Sequence, residues 1–133
     1  MDIQRTDHVA IICSDYKRSK DFYTKILGLE IVSETFRKER NSYKLDLRLP
    51  GGFPFLEIFS FPDPPARVTQ PEACGLRHIG FTVADVDSAR TCLQSKGVIC
   101  EPIRMDTVFD RRLFFAFDPD KLPIEFAESP KNI

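Results

Sequence analysis

Apolar and polar positions follow one order twice along the chain. His8-Val9-Ala10-Ile11-Ile12-Cys13-Ser14-Asp15 is a histidine, a short apolar run and an aspartate, and His78-Ile79-Gly80-Phe81-Thr82-Val83-Ala84-Asp85 has the same order. Each run has the length and composition of a strand. A helical pattern follows each aspartate. Ser19, Phe22, Tyr23, Ile26 and Leu27 make one stripe before Gly28, and Val86, Ala89, Cys92 and Leu93 make a narrower one before Gly97. These spacings predict two helices with Asp15 and Asp85 as N-caps and the glycines as stops. Three strand candidates come after each helix, at about 29–38, 43–50 and 54–61, then at about 98–104, 111–118 and 123–128. Lys44-Leu45-Asp46-Leu47-Arg48-Leu49 alternates cleanly, which turns its leucines to a core and its charges away from it.

The chain therefore reads as a tandem duplication within a single domain spanning residues 1–133. Two βαβββ modules, about 5–61 and 76–128, are joined by a proline-rich segment, 62–75, expected to be a stiff, extended linker. The predicted fold class is α+β. A module of this size does not easily bury its sheet face alone, so two curved sheets are expected to share one core and one cleft.

Composition narrows the function. Lys and Arg number 19 against 20 Asp and Glu, a formal charge of −1, so no overall positive field attracts nucleic acid or an anionic membrane. With 42% apolar and 29% charged residues the chain is not of the disordered class. No apolar run approaches the roughly 18 residues of a membrane span, and Met1-Asp2-Ile3-Gln4-Arg5 has no signal-type hydrophobic stretch. Cys13, Cys74, Cys92 and Cys100 form no Cys-x-x-Cys pair. They read as small buried hydrophobes in a reducing compartment, and a cytoplasmic location is expected.

The chemistry concentrates on four positions. The only two histidines, His8 and His78, stand at matched places near the start of each module's first strand. Glu57 in Leu56-Glu57-Ile58-Phe59 and Glu125 in Ile124-Glu125-Phe126-Ala127 stand at matched places in the last strand, flanked by apolar residues. A buried carboxylate is neutralised, paired or bound to a cation. If first and last strands are neighbours, His8 lies near Glu57 and His78 near Glu125. A pseudo-twofold relation between modules then assembles a His₂Glu₂ cage for one divalent ion: Zn, Ni, Co, Mn or Fe. By parity Phe55, Phe59 and Phe61 share a side with Glu57, and Gly80 and Thr82 go with His78. Lys44, Asp46, Arg48, Arg111 and Arg112 are further candidates for the cleft lining. Of these, Phe59, Phe61, Arg48 and Arg111 are the expected substrate contacts for a compact anionic or phenyl-bearing molecule.

Phe22-Tyr23-Thr24-Lys25-Ile26-Leu27-Gly28-Leu29 and Phe117-Asp118-Pro119-Asp120, leading to Ile124-Glu125-Phe126, give the chain a resemblance to the vicinal oxygen chelate superfamily over about residues 5–128. That superfamily includes glyoxalase I, bleomycin- and fosfomycin-resistance proteins and extradiol dioxygenases. The resemblance implies a U-shaped mixed sheet around a metal cleft and a homodimer. The His, Glu, His, Glu order resembles bacterial glyoxalase I, with His8, Glu57, His78 and Glu125 on its four ligand positions. Glu125 is implied as the proton-shuttling base, with Glu57 as runner-up. Two glutathione contacts of that enzyme are replaced here, an arginine by Ile12 and an asparagine by Phe61, and Lys121 stands where a glycine is usual after Asp-Pro-Asp. The resemblance is closest to small stand-alone glyoxalase-like proteins. The function it implies is a metal-dependent lyase or isomerase of the lactoylglutathione lyase type, not glutathione-specific. It would act on a small α-oxo or α-hydroxy compound through a chelated enediolate. A dioxygenase of the same superfamily and a non-catalytic, resistance-type binding protein are the alternatives.

Overall fold

In the computed structural model, which describes residues 1–131, eight strands and two helices occur in the order β-α-β-β-β twice. The chain divides into two units, the first ending at Ala66 and the second starting at Arg67. The first contains β1 (Val9–Cys13), α1 (Tyr16–Asp21), β2 (Glu30–Arg37), β3 (Ser42–Arg48) and β4 (Pro54–Ser60). The second contains β5 (Ile79–Thr82), α2 (Val86–Ser95), β6 (Arg104–Asp106), β7 (Arg111–Phe117) and β8 (Pro123–Ala127). Each unit forms a four-stranded mixed sheet, ordered β1-β4-β3-β2 and β5-β8-β7-β6. This is the α+β, two-module fold expected from the duplication.

Local chemistry sets the elements. The Asp15 side chain accepts the Arg18 backbone N–H, and Asp85 accepts those of Asp87 and Ser88, so both helices begin at capped aspartates. After α1 the chain widens into a π-helical turn over Phe22–Ile26, closed by Leu27 N–H donating to the Phe22 carbonyl, 2.9 Å. Phe22 and Tyr23 are both buried there. Gly28 then takes φ +79°, a left-handed conformation that glycine reaches without strain.

In the first unit Leu45 and Leu47 of β3 and Leu56 and Ile58 of β4 are fully buried on one face. The alternate residues Lys44, Asp46, Glu57 and Phe59 occupy the other face, Asp46 directly opposite Glu57 and Lys44 opposite Phe59. In the second unit Phe114, Ala116 and Ile124 are fully buried on one face, and Leu113, Phe115 and Ala127 form a separate buried cluster on the face that carries Glu125.

Three expectations need correction. The strand expected at 98–104 is reduced to an isolated bridge, Cys100 to Ala116, followed by β6 at Arg104–Asp106. Pro102 lies between them and has no N–H to give the ladder. The expected linker is not extended throughout. A turn spans residues 69–72, Thr69 Oγ1 donates to the Lys121 carbonyl at 2.9 Å, and Arg67 Nη2 donates to the Leu76 carbonyl at 3.1 Å. Residues 67–77 are thereby tied into the second unit. Of the cysteines, none of which is in a disulfide, only Cys13 is buried, whereas Cys74 and Cys92 are exposed. On α2 the buried positions are Val86 and Leu93, and Cys92 lies outside that narrow face. No helix among the described residues is long and apolar enough to cross a membrane.

Burial predicts which side chains hold each module. Leu47→Ala should lower unfolding free energy by about 2–5 kcal/mol, the range for truncating a buried leucine. Val32→Ala, on the exposed β2 edge, should stay within about 0.5 kcal/mol of wild type in the same urea titration.

Candidate functional site

In each module the last strand returns parallel to the first. Ala10 pairs with Glu57 between β1 and β4, and Gly80 with Glu125 between β5 and β8. The residue two positions before Ala10 or Gly80 shares its face, so each histidine is brought to its glutamate. His8 Nε2 lies 3.3 Å from Glu57 Oε2, and His78 Nε2 lies 3.1 Å from Glu125 Oε2. Both carboxylates are mostly shielded, their side chains 16% and 15% exposed.

Each glutamate also has a cationic neighbour. Lys44 Nζ is 3.1 Å from Glu57 Oε1 and 3.2 Å from Asp46 Oδ1, while Arg111 Nη2 stands 3.8 Å from Glu125 Oε1. These cations offset the cost of shielding the carboxylates. The Lys44 ammonium is held above its ordinary pKa, first by its bond to Glu57. Asp46 is shifted down: burial alone would raise it, but the Ser33 hydroxyl and the Lys44 ammonium outweigh burial.

The two imidazoles differ. His8 Nδ1 donates to Asp7 Oδ2 at 2.8 Å, a contact that raises the His8 pKa above its usual 6.5, with Glu57 adding to the rise. In neutral His8 the proton on Nδ1 leaves Nε2 as a lone pair facing a carboxylate oxygen. That juxtaposition is favourable only with a proton or a cation between the two atoms. His78 has the opposite tautomeric bias. Its Nδ1 faces Arg77 Nη1 at 3.2 Å and can only accept from it, so the ring proton sits on Nε2 and is given to Glu125. Phe115, 5.1 Å away edge-on, packs against the His78 ring.

The donor atoms are of the kind a divalent ion takes: His8 offers an Nε2 lone pair beside a carboxylate oxygen, whereas His78 would have to give up its Nε2 proton before that atom could bind an ion. Among the described residues no three His, Cys, Asp or Glu side chains form a group able to hold a metal ion. Each module supplies one pair.

The other expected contacts divide. Phe59 and Phe61 stack with centroids 6.1 Å apart. Arg111 is held by Asp106 at 3.3 Å and reaches toward Glu125. Arg48 is turned to Glu30 on the neighbouring strand, 3.0 Å, and is not gathered with His8 and Glu57. Arg112 is engaged by Glu128 and Asp87, each at 2.7 Å. Sequence reasoning missed Asp7, Arg37 and Arg40. Asp7 adjoins a histidine in sequence, a usable signal. Arg37 and Arg40 lie at the end of β2 and in the 3₁₀ turn after it, and no pattern singles them out.

Residues 5–126 match the Glyoxalase/Bleomycin resistance protein/Dioxygenase superfamily. The chain belongs to this superfamily. It is 55% identical over 121 residues to the uncharacterized protein YwkD of Bacillus subtilis (strain 168), covering 91% of this chain and 94% of that one. To the uncharacterized protein YaeR of Escherichia coli (strain K12) it is 48% identical over 126 residues, 95% and 97% of the two chains. The crystal structure of the glyoxalase family protein from Enterococcus faecalis superposes with a TM-score of 0.85 at 42% identity, covering 94% of this chain and 98% of that one. The superfamily includes metal-dependent members and members that bind small molecules.

The Asp7 contact carries a pH prediction. With its folded pKa raised, His8 contributes stability to the metal-free protein that is fully present below pH 6.5 and lost as pH rises through the raised value. Asp7→Asn should move the His8 midpoint down toward 6.5 in an NMR titration of the imidazole protons. An unmoved midpoint would assign the rise elsewhere.

Proposed function

We propose that the chain is a metal-dependent, glyoxalase I-like lyase or isomerase acting on a small α-oxo or α-hydroxy compound, and that it is not specific for glutathione. The observation that carries the reading is the repeated His–Glu contact, 3.3 Å in one module and 3.1 Å in the other, at matched positions of a superfamily member. His8, Glu57, His78 and Glu125 together would hold one divalent ion, Zn, Ni, Co, Mn or Fe. When bound, such an ion polarises two neighbouring substrate oxygens and acidifies the carbon–hydrogen bond beside them.

The protein's own groups divide the remaining work. Glu57 is clamped by Lys44 and faces Asp46, which suits a fixed ligand. Glu125 has a longer contact to Arg111 and lies opposite Phe115 in the ladder. Its carboxylate is the freer of the two to take a proton from one carbon and return it to the next. Asp7 orients the His8 ring, as an outer carboxylate does for a metal-bound imidazole. Ile12 and Phe61 themselves carry neither charge nor amide, so the two glutathione contacts of bacterial glyoxalase I are not kept at those positions.

A homodimer and a cytoplasmic location belong to the same reading. The first is implied by the family resemblance, and the second is supported by four cysteines that form no disulfide.

Protein purified without chelator should contain one divalent ion per chain by elemental analysis, and His8→Ala and His78→Ala should each lose most of it. Glu125→Gln should keep most of the ion yet lose turnover, read as exchange of a carbon-bound hydrogen of an α-hydroxyketone with deuterated solvent, by about 10²-fold or more. Wild-type protein that takes up no transition ion, or full exchange by Glu125→Gln, would overturn the reading.

A further inference from the structure

The first module has a second polar feature on the face that carries His8 and Glu57. Ala10, Ile11, Ile12, Arg37, Arg40, Phe59 and Phe61 line a hollow of about 270 Å³. The ladder registers place it on that face, because Ala10 pairs with Glu57 and Ile12 with Phe59. Phe59 follows Glu57 by two residues on β4, about 7 Å along the strand.

Two guanidinium groups crown the stacked phenylalanines. The Arg37 guanidinium carbon lies 4.7 Å from the Phe59 ring centroid and 5.7 Å from that of Phe61, and Arg40 lies 5.3 Å from Phe61. Ring faces attract such cations and hold their planes. Several other arginines meet carboxylates, Arg48 with Glu30, Arg77 with Glu72 and Arg112 with Glu128, while Arg104 stacks singly over Phe115. Arg37 and Arg40 have no carboxylate partner among the described residues. Arg37 Nη2 donates to the Ser42 hydroxyl at 3.0 Å, and Arg37 Nε is buried with no hydrogen-bond acceptor. A buried donor without an acceptor is costly, and a guanidinium fork is shaped for a planar or tetrahedral oxyanion.

We infer that this hollow is an oxyanion-binding subsite, in which Arg37 and Arg40 take the carboxylate or phosphate group of a small molecule whose apolar body rests on Phe59, Phe61 and Ile12. The inference deepens the proposed function and rests on it for one point, that the bound molecule is the substrate. The subsite then sets specificity: it selects an oxo or hydroxy compound with an anionic end over its neutral analogue. In the repeat the second module carries Ala127 where the first has Phe59.

The test uses the full chain after chelator treatment, with benzoate and phenylphosphonate as anionic probes and benzamide as the neutral isostere. The reporter is the Arg37 Nε–H resonance in proton–nitrogen correlation spectra. Both anions should shift it saturably, the tighter of the two identifying carboxylate or phosphate as the preferred group. Benzamide should bind about tenfold or more weakly. Arg37→Gln and Arg40→Gln should each weaken benzoate binding by about tenfold, followed through backbone resonances of Ala10 and Phe59. Arg40 is exposed, so its variant remains a folded test if Arg37→Gln does not. Equal binding of benzamide and the anions, or wild-type benzoate affinity in Arg40→Gln, would overturn the subsite. Chelated protein separates the two readings. Anion binding by a protein that takes up no ion refutes the metal reading alone, and ion uptake without anion selectivity refutes the subsite alone.

Discussion

Parallel pairing between the first and last strand of each module is the constraint on which the rest depends. A parallel ladder requires a long crossover between its strands, and here the helix and two intervening strands supply it. The pairing brings a histidine just before β1 or β5 across from a glutamate in the middle of β4 or β8. Without it the two residues of each pair would be separated by most of a module. The same register turns the leucines of β3 and β4 to the buried face and leaves the other face for chemistry. A one-residue slip would bury Glu57 and expose Leu56 and Ile58, so the hydrophobic core enforces the register that the polar face uses.

Much of this was legible in the sequence because it repeats. Matched histidines, capping aspartates and mid-strand glutamates located first and last strands, helices and the His–Glu pairs without any measure of distance. The failures are equally physical. Residues 98–104 look like a strand until Pro102 is charged with a missing donor. Cys92 fits an apolar stripe by spacing, but α2 buries too narrow a face to include it. Arg48 alternates onto the correct face, yet a long side chain reaches the nearest opposite charge, and Glu30 lies directly across the ladder. Arg37 and Arg40 were invisible because their role comes from ring stacking across β2, β3 and β4, a contact that no periodicity encodes.

The two modules have diverged around the same frame. Opposite the glutamate, the first module has Asp46 and the second has Phe115. A second carboxylate beside Glu57 raises the local negative charge and calls for Lys44 to bind both. An aromatic ring beside Glu125 removes that charge and packs instead against His78. The pairs are therefore alike in donor atoms and unlike in freedom, one locked by an ammonium and the other faced by a ring and a more distant guanidinium.

Under the proposed function, that inequality would let the two modules divide the work of one reaction. A proton carrier must change its charge during turnover, and each rigid cation bound to it opposes the protonated state. Glu57 lies 3.1 Å from the Lys44 ammonium, whereas Glu125 lies 3.8 Å from the Arg111 guanidinium and 3.1 Å from His78 Nε2. In the proposed reaction, fixed attachment would fall to the carboxylate that the ammonium clamps and proton transfer to the other. The aromatic–arginine hollow lies on the fixed side. A substrate anchored there by its anionic end is held by the part of the protein that does not have to move, which is where orientation contributes most to rate.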